Sequence, residues 1–394
     1  MKVLFISHRL PYAPNRGDRI RAYHTLREMS KWAEVHLCAL VHDDEEASHT
    51  EDLRSLVRSV TIARVPRVRN HLRAGLALGS STPLTHILLD APELAAAVDQ
   101  LAVTQRPDIV YCFCTGVGPV ALRPSLAGIP IVLDMVDVDS IKWSALAQSC
   151  GFPMSWVYGR EARCLSRFES AIAMRAAVTI LTTEAERSDL QKIAPDARVV
   201  VIGVGVDRDY YRRPLPHEKP ANPTVIFCGV MNYAPNTEGI QWFVKDVWPA
   251  VRAKLPRAEL KIVGASPTGA VKNLKDRAKG IAVTGTVPDV RPFLWASSVA
   301  IAPLMTARGV QNKVLESIAA GLTAVVTPAV AKGLPAELSE CFRVAATSEE
   351  FADAVVTEVT AGHDERTAEL LRGMSWEPRL RQLRPLLESA LGHT

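Results

Sequence analysis

Six consecutive residues, Arg308-Gly309-Val310-Gln311-Asn312-Lys313, and Glu316 one turn further on, bring together residue types suited to holding a phosphorylated sugar. Two cations, a glycine that lets backbone approach closely, and the unpaired N–H groups of a helix start make an anion site. An acid one turn into that helix can accept from sugar hydroxyls while the mouth holds the phosphates, so a nucleotide or nucleotide sugar fits best. The plain alternative is an ordinary helix start in which Lys313 and Glu316 form a solvated i,i+3 pair, worth a few tenths of a kcal/mol.

Such a site needs rigid elements on either side. Val299-Ala300-Ile301-Ala302, closed by Pro303, reads as a buried parallel strand. Val314, Leu315, Ile318 and Ala319 recur at helical spacing up to Gly321, and Ala324-Val325-Val326 resumes a strand. The stretch is a βαβ unit with the basic loop between strand and helix.

Two other places carry candidate chemistry. The loop after the first strand, Ser7 to Arg19, holds Gly17 between Arg16 and Arg19, and its backbone can approach a diphosphate; a surface turn with solvated arginines is the other reading. Asp137-Val138-Asp139 stands just past a strand end. Two carboxylates there can hold a divalent ion. Contacts made without a metal are favoured, since the basic loop at 308–313 already supplies the charge a metal would bring.

The 394 residues suit two domains of ordinary size, and 48% hydrophobic with 22% charged residues is a globular composition. A net charge of +4 fits anionic substrates or an acidic membrane surface and is too small to indicate nucleic acid. Seven scattered cysteines read as free thiols of a cytosolic protein, without a metal-type cluster. The N-terminus lacks a signal-peptide pattern, and no run of 18 apolar residues is present.

The expected order is strands at 3–6, 34–41, 60–65, 107–112, 130–134, 178–181 and 199–202, with helices at 20–30, 43–58 and 158–174 among the elements between them. Thr183-Glu184-Ala185-Glu186 starts a helix as a capping box. Arg67 to Leu89 is either an amphipathic arm lying on a membrane face or a pair of helices packed on the sheet, and the clustering of its charges at one end favours the second. The proline-rich stretch inside 208–223 reads as a linker between domains 1–207 and 224–376. Further strands are expected at 225–228, 259–263 and 281–284, with helices at 238–255 and 272–278. A last helix, 377–391, is free to pack back on the first domain. Two doubly wound α/β sheets in tandem follow, with ligands beyond the carboxyl ends of their strands and a cleft where those ends face each other.

The turn Gly203-Val204-Gly205-Val206-Asp207, the Gly229 loop, the loop Gly285-Thr286-Val287-Pro288-Asp289 and the helix Lys313 to Gly321 together resemble a family 4 glycosyltransferase with the GT-B fold. Residues Leu4 to Leu26, Asp134 to Trp143 and Phe227 to Asn236 are most similar to the sugar transferases of exopolysaccharide clusters in exosortase-bearing bacteria. The resemblance implies retaining transfer from a nucleoside-diphosphate sugar to a glycan or lipid-linked acceptor, with no cofactor and no metal required. It implies a cytoplasmic enzyme, with peripheral contact at the inner face of the plasma membrane. It places Glu316 on the ribose, Lys313 with the backbone of Gly309, Val310, Gln311 and Asn312 on the diphosphate, Val287 beside the base, and Gly17 with Arg16 under the phosphates. The loop from Gly229 to Asn236 joins these donor contacts.

Three departures alter that pattern. The usual pair of glutamates is here Arg308 and Glu316. The Arg and Lys that normally follow the Gly229 loop's glycine are absent, which shifts charge onto Lys313, Arg308 and Arg16. The first domain's histidine is replaced near Val136, so Asp137 or Asp139 takes its place as the catalytic-side contact, with Arg308 where the first acid would stand. A nucleotide-sugar 2-epimerase of the same architecture and an inactive nucleotide-binding subunit are the other readings.

Overall fold

The structure is a computed structural model and describes residues 1–12, 17–214, 221–307, 309–361 and 371–392. The chain divides into two compact units, Met1–Gly203 with Glu377–Thr394, and Val204–Trp376. The division falls after Gly203, ahead of the 207/208 boundary expected from composition, because Val206 pairs in parallel with Ser375 of the second unit. Residues 215–220 of the expected linker lie outside the described residues.

The first unit is built on seven parallel strands: β1 (Lys2–Ser7), β2 (Glu34–Val41), β3 (Ser59–Arg64), β4 (Ile109–Phe113), β5 (Ile131–Val136), β6 (Val178–Leu181) and β7 (Val199–Val201). Their order is β3-β2-β1-β4-β5-β6-β7. Their continuous apolar runs are the mark of strands covered on both faces. Phe5, Tyr111 and Phe113 stack across β1 and β4, with centroids 5.0 and 6.1 Å apart. The helices that matter below are α1 (Gly17–Met29), α2 (Arg67–Leu76), α3 (Leu84–Leu88), α4 (Pro92–Gln105), α5 (Asp139–Ser149), α6 (Met154–Arg175) and α7 (Glu184–Ile193).

The second unit opens with a short turn of helix, α8 (Arg208–Tyr211), and carries six parallel strands. These are β8 (Thr224–Cys228), β9 (Glu259–Val263), β10 (Ile281–Val283), β11 (Val299–Ala302), β12 (Ala324–Val326) and β13 (Phe342–Val344), ordered β10-β9-β8-β11-β12-β13. Helices α9 (Ala234–Trp242), α10 (Asn312–Ala319) and α11 (Ser348–Ala361) belong to it. The closing helix α12 (Leu383–Leu391) returns to the first unit. The two tandem doubly wound sheets expected from the sequence are present.

Several element boundaries differ from expectation, and proline explains two. The helix expected over 377–391 is Trp376–Leu380 followed by α12, because Pro385 has no N–H and its ring would collide with the carbonyl of Arg381. The helix expected over 238–255 runs Ala234–Trp242, loosens into a π turn at Phe243–Val247 and resumes at Trp248–Lys254, which accommodates Pro249. The 272–278 helix is instead the turn Gly269–Lys272, capped by the Thr268 hydroxyl, after which Asp276 bridges to Ile281. The single helix over 43–58 is two short ones, Asp44–Ser48 and Thr50–Arg54. All seven cysteines are free, and no described helix is long and apolar enough to cross a membrane.

Candidate functional site

In the second sheet, strand order reverses at β8, which lies between β9 and β11. Loops leaving the carboxyl ends of β8 and β11 diverge there and open the crevice in which doubly wound sheets hold ligands. The loop after β8 begins with Gly229, and the loop after β11 leads through Gly309, Val310 and Gln311 into α10. Both of the sequence's main donor-binding stretches therefore stand at the switch point.

Lys313 is the centre of this site. Its Nζ donates to the Oδ1 of Asn236, whose Nδ2 in turn donates to the Val230 carbonyl at 2.8 Å. The second bond fixes which way the Asn236 amide faces, so its oxygen is the atom offered to the ammonium. Nζ also sits 5.1 Å from the Phe227 ring centroid, where the π face attracts a cation. A Cβ on Gly229 would lie 2.8 Å from Asn236 Nδ2 and 3.3 Å from Lys313 Nζ, so glycine there keeps the space beside the ammonium open. Burial lowers the Lys313 pKa to about 8, and among the described residues the ammonium's hydrogen bond goes to the Asn236 amide rather than to a carboxylate. The solvated Lys313–Glu316 pair is not what forms.

Glu316 instead takes a hydrogen bond from the Tyr211 hydroxyl. Burial raises the Glu316 pKa, while that bond and Lys313 pull it back down. Tyr211 comes from α8, where Trp295 Nε1 donates to its carbonyl at 2.8 Å and Arg291 lies 3.9 Å from the neighbouring Tyr210 ring centroid. Cys228, at the end of β8, is close enough to Glu316 and Lys313 to feel both charges.

At the mouth of α10 no side chain caps the helix, so its first N–H groups are available. The buried Oδ1 of Asn312 has no hydrogen-bond partner. Gly309 has a φ of 57°, in the left-handed region, and its carbonyl passes so close to Gly333 that a Cβ on that residue would lie 2.1 Å away. Two glycines thus shape the loop. Val287 lies half-buried in the loop after β10, which is joined to the end of β9 through the Gly264 N–H and the Gly285 carbonyl at 3.3 Å. Arg308 and Arg16 lie outside the described residues.

The remaining candidates belong to the first unit. Gly17 is the first residue of α1, past the carboxyl end of β1. Asp134 lies inside β5, within the strand expected over 130–134: its carboxylate takes Arg21 Nε at 3.1 Å and the Tyr111 hydroxyl at 2.7 Å, and Arg21 also donates to the Ile202 carbonyl. That acid holds the sheet together. Asp137 accepts from the Thr182 hydroxyl at 3.4 Å, and Asp139 opens α5. Their loop starts from Val136 at φ 69°, a strained conformation for a β-branched residue.

Two glutamates hold this loop in place: Glu186, which the sequence placed in a capping box, and Glu169, which it did not single out. Glu186 Oε2 accepts from the Val138 N–H at 2.7 Å, and the Thr183 hydroxyl caps α7 by accepting from the Glu186 N–H. Glu169 accepts from the Ser140 N–H at 3.2 Å, and burial pushes its pKa up to about 7. Burial, then Asp137, also raises Asp139. Nothing local in the sequence marks Glu169 or Glu186 as a partner of this loop. No three His, Cys, Asp or Glu side chains among the described residues are grouped as metal ligands.

Two family models match the chain, the glycosyl transferase 4-like domain over residues 16–205 and glycosyl transferases group 1 over residues 222–360. No curated protein sequence matches it. Among solved structures, sucrose-phosphate synthase from Thermosynechococcus elongatus superposes with a TM-score of 0.73 at 14% identity, covering 100% of both chains. Anabaena HepE in complex with UDP and glucose gives 0.67 at 16% identity, covering 99% of this chain and 100% of that one. WaaG, a glycosyltransferase involved in lipopolysaccharide biosynthesis, gives 0.57 at 15% identity and covers 98% of each.

Proposed function

The chain is a glycosyltransferase of the GT-B fold, and we propose that it moves a sugar, with retention of configuration, from a nucleoside-diphosphate sugar to an acceptor hydroxyl. The acceptor in this reading is a lipid-linked or growing glycan of a bacterial exopolysaccharide, met at the inner face of the plasma membrane. The observation that carries the donor assignment is the Lys313 ammonium, oriented by Asn236 beside Gly229 at the sheet's switch point without a carboxylate of its own.

In this reading the diphosphate completes that ammonium and meets backbone N–H groups from Gly309 through Asn312 at the mouth of α10, while Glu316 takes the ribose hydroxyls. Val287 borders the base. As the bond from the sugar to the diphosphate breaks, negative charge grows on the leaving oxygen, and a fixed cation and fixed dipoles that meet it lower the barrier. This role of Lys313 asks for no metal. Gly17 and Arg16 serve the phosphates from the first unit, and Asp137, Asp139 and Arg308 orient the sugar or the acceptor. The HepE structures, which hold UDP with glucose or UDP-glucose, support a nucleotide sugar as the donor class.

The test is incubation of the purified protein with UDP-, GDP- and ADP-sugars, with and without a bacterial lipid extract and a chelator. Acceptor-dependent release of one nucleoside diphosphate, unaffected by chelator, and a product of the donor's anomeric configuration by NMR are expected. Conversion of the nucleotide sugar alone to its 2-epimer would assign the epimerase reading instead.

A further inference from the structure

The helix α2 is arranged the opposite way from a helix packed on a sheet. At 100° per residue, Val68, Leu72 and Leu76 fall on one stripe, and Asn70 and Ala74 fall diametrically across from it. It is Asn70 and Ala74 that are buried, whereas Val68, Leu72 and Leu76 are 79%, 68% and 89% exposed. A surface helix ordinarily turns its apolar stripe inward. Here a polar side chain anchors the inner face, with Asn70 Nδ2 donating to the carbonyls of Leu88 and Asp90 at 3.0 and 2.8 Å. The segment packs as helices α2 and α3, and it still presents an apolar face outward.

A second group of exposed apolar residues adjoins this stripe. Arg160 of α6 donates to the carbonyls of Ala77, Leu78, Ser80 and Thr82, which clamps the segment after α2 to the start of α6. Glu161 caps the start of α3 through the N–H groups of Leu84 and Thr85. One turn before Arg160, about 6 Å along the helix, stands Trp156, and ahead of it Met154 and Phe152. Phe152 is 86% exposed and Trp156 49%.

The charges on α2 are predominantly basic. Residues 53–89 contain six arginines and neither Asp nor Glu, of which Arg54 and Arg64 pair with Glu51 and Asp44, while Lys142 and Arg160 near the tip pair with Asp139 and Glu161. On α2, Arg69 and Arg73 flank the stripe on one side and Arg67 with His71 on the other. Arg69 and Arg73 share the single carboxylate of Asp90, and Arg67 has no ion pair among the described residues.

We propose that this face, the outward stripe of α2 with the Phe152–Trp156 tip, docks the first unit on an anionic phospholipid bilayer. The leucines and the aromatic tip enter the boundary between headgroups and acyl chains while the arginines meet lipid phosphates. This deepens the membrane-facing part of the proposed function and stands on residues of the first unit alone.

Flotation of the full chain with phosphatidylcholine vesicles, with and without phosphatidylglycerol, tests it, read beside thermal unfolding and nucleotide calorimetry. Wild-type protein is expected to float with the anionic vesicles only, less so at high salt. Leu72→Glu/Leu76→Glu and Trp156→Ala are expected to weaken that binding about tenfold or more with unchanged unfolding midpoints and nucleotide affinity. Wild-type protein that does not bind anionic vesicles, or a double variant that binds as well as wild type, overturns the assignment. So does light scattering that shows a dimer dissolved by Leu72→Glu/Leu76→Glu, which would give the face to a second copy. Loss of vesicle binding with nucleotide binding intact leaves the donor site standing, and the converse leaves the bilayer surface standing.

Discussion

Replacing Lys313 by alanine is expected to weaken nucleoside-diphosphate binding by about 1.5–3 kcal/mol, the range for a lost charge-assisted hydrogen bond. In affinity that is roughly tenfold to 150-fold. The structure sharpens the expectation with a pH dependence. Burial holds the Lys313 pKa at about 8 in the free protein, and a bound diphosphate would raise it. Below pH 8 the ammonium is already charged and binding gains its full attraction. Above pH 8 each unit of pH removes up to about 1.4 kcal/mol, because the lysine must first take up a proton. Wild-type affinity should therefore fall as pH rises from about 7 to 9, and the Lys313→Ala profile should be flatter over that window. Calorimetry at several pH values, in buffers of different ionisation enthalpy, reads both the affinity and the proton uptake. Equal affinities for wild type and variant, or parallel pH profiles, would refute the role assigned to Lys313.

Gly229→Ala puts a methyl 2.8 Å from Asn236 Nδ2 and 3.3 Å from Lys313 Nζ; it should cost donor affinity about 1–3 kcal/mol, and unchanged affinity in calorimetry would show the space is not used. Glu169 has its folded pKa raised from 4.5 to about 7, so its contribution to stability is full below about pH 4.5 and is lost as pH rises through 7. Denaturation of Glu169→Gln should accordingly show the variant gaining on wild type between pH 5 and 8, by up to about 3 kcal/mol, and an equal difference at both pH values would contradict the burial argument. Arg21→Met leaves Asp134 buried without its cation; a loss of about 3–5 kcal/mol is expected in urea unfolding, with partial recovery on adding Asp134→Leu. A single variant as stable as wild type would remove this pair from the framework.

The parallel strands were legible because a strand buried on both faces is apolar throughout, and β6, β9, β11 and β12 fall where those runs are. The α10 helix was legible for a related reason: its apolar positions are at helical spacing, and Gly321 follows at φ 86°, the left-handed turn that ends it. The break before α12 was hidden behind leucines at helical spacing, although Pro385 carried the information. Contacts between distant residues left no local trace. Tyr211 sits in what composition marks as the approach to a linker, yet it hydrogen-bonds Glu316 across the second unit. Glu169 and Glu186 lie on helices where an acid normally faces water, and only the packed structure turns them onto the backbone after β5. Asp134 illustrates the reverse: a carboxylate beside Asp137 and Asp139 in sequence that serves the core.

Thermal unfolding of the purified protein against UDP, GDP, ADP, NAD and a panel of nucleotide sugars, with and without magnesium, tests the donor site most directly. A ligand at a hundred times its dissociation constant stabilises the native state by roughly 2.7 kcal/mol, enough to move the midpoint measurably. The account predicts a rise with one nucleoside diphosphate and its sugars, indifferent to magnesium and lost in Lys313→Ala. A flat response to every nucleotide, or a response to NAD alone, would contradict it.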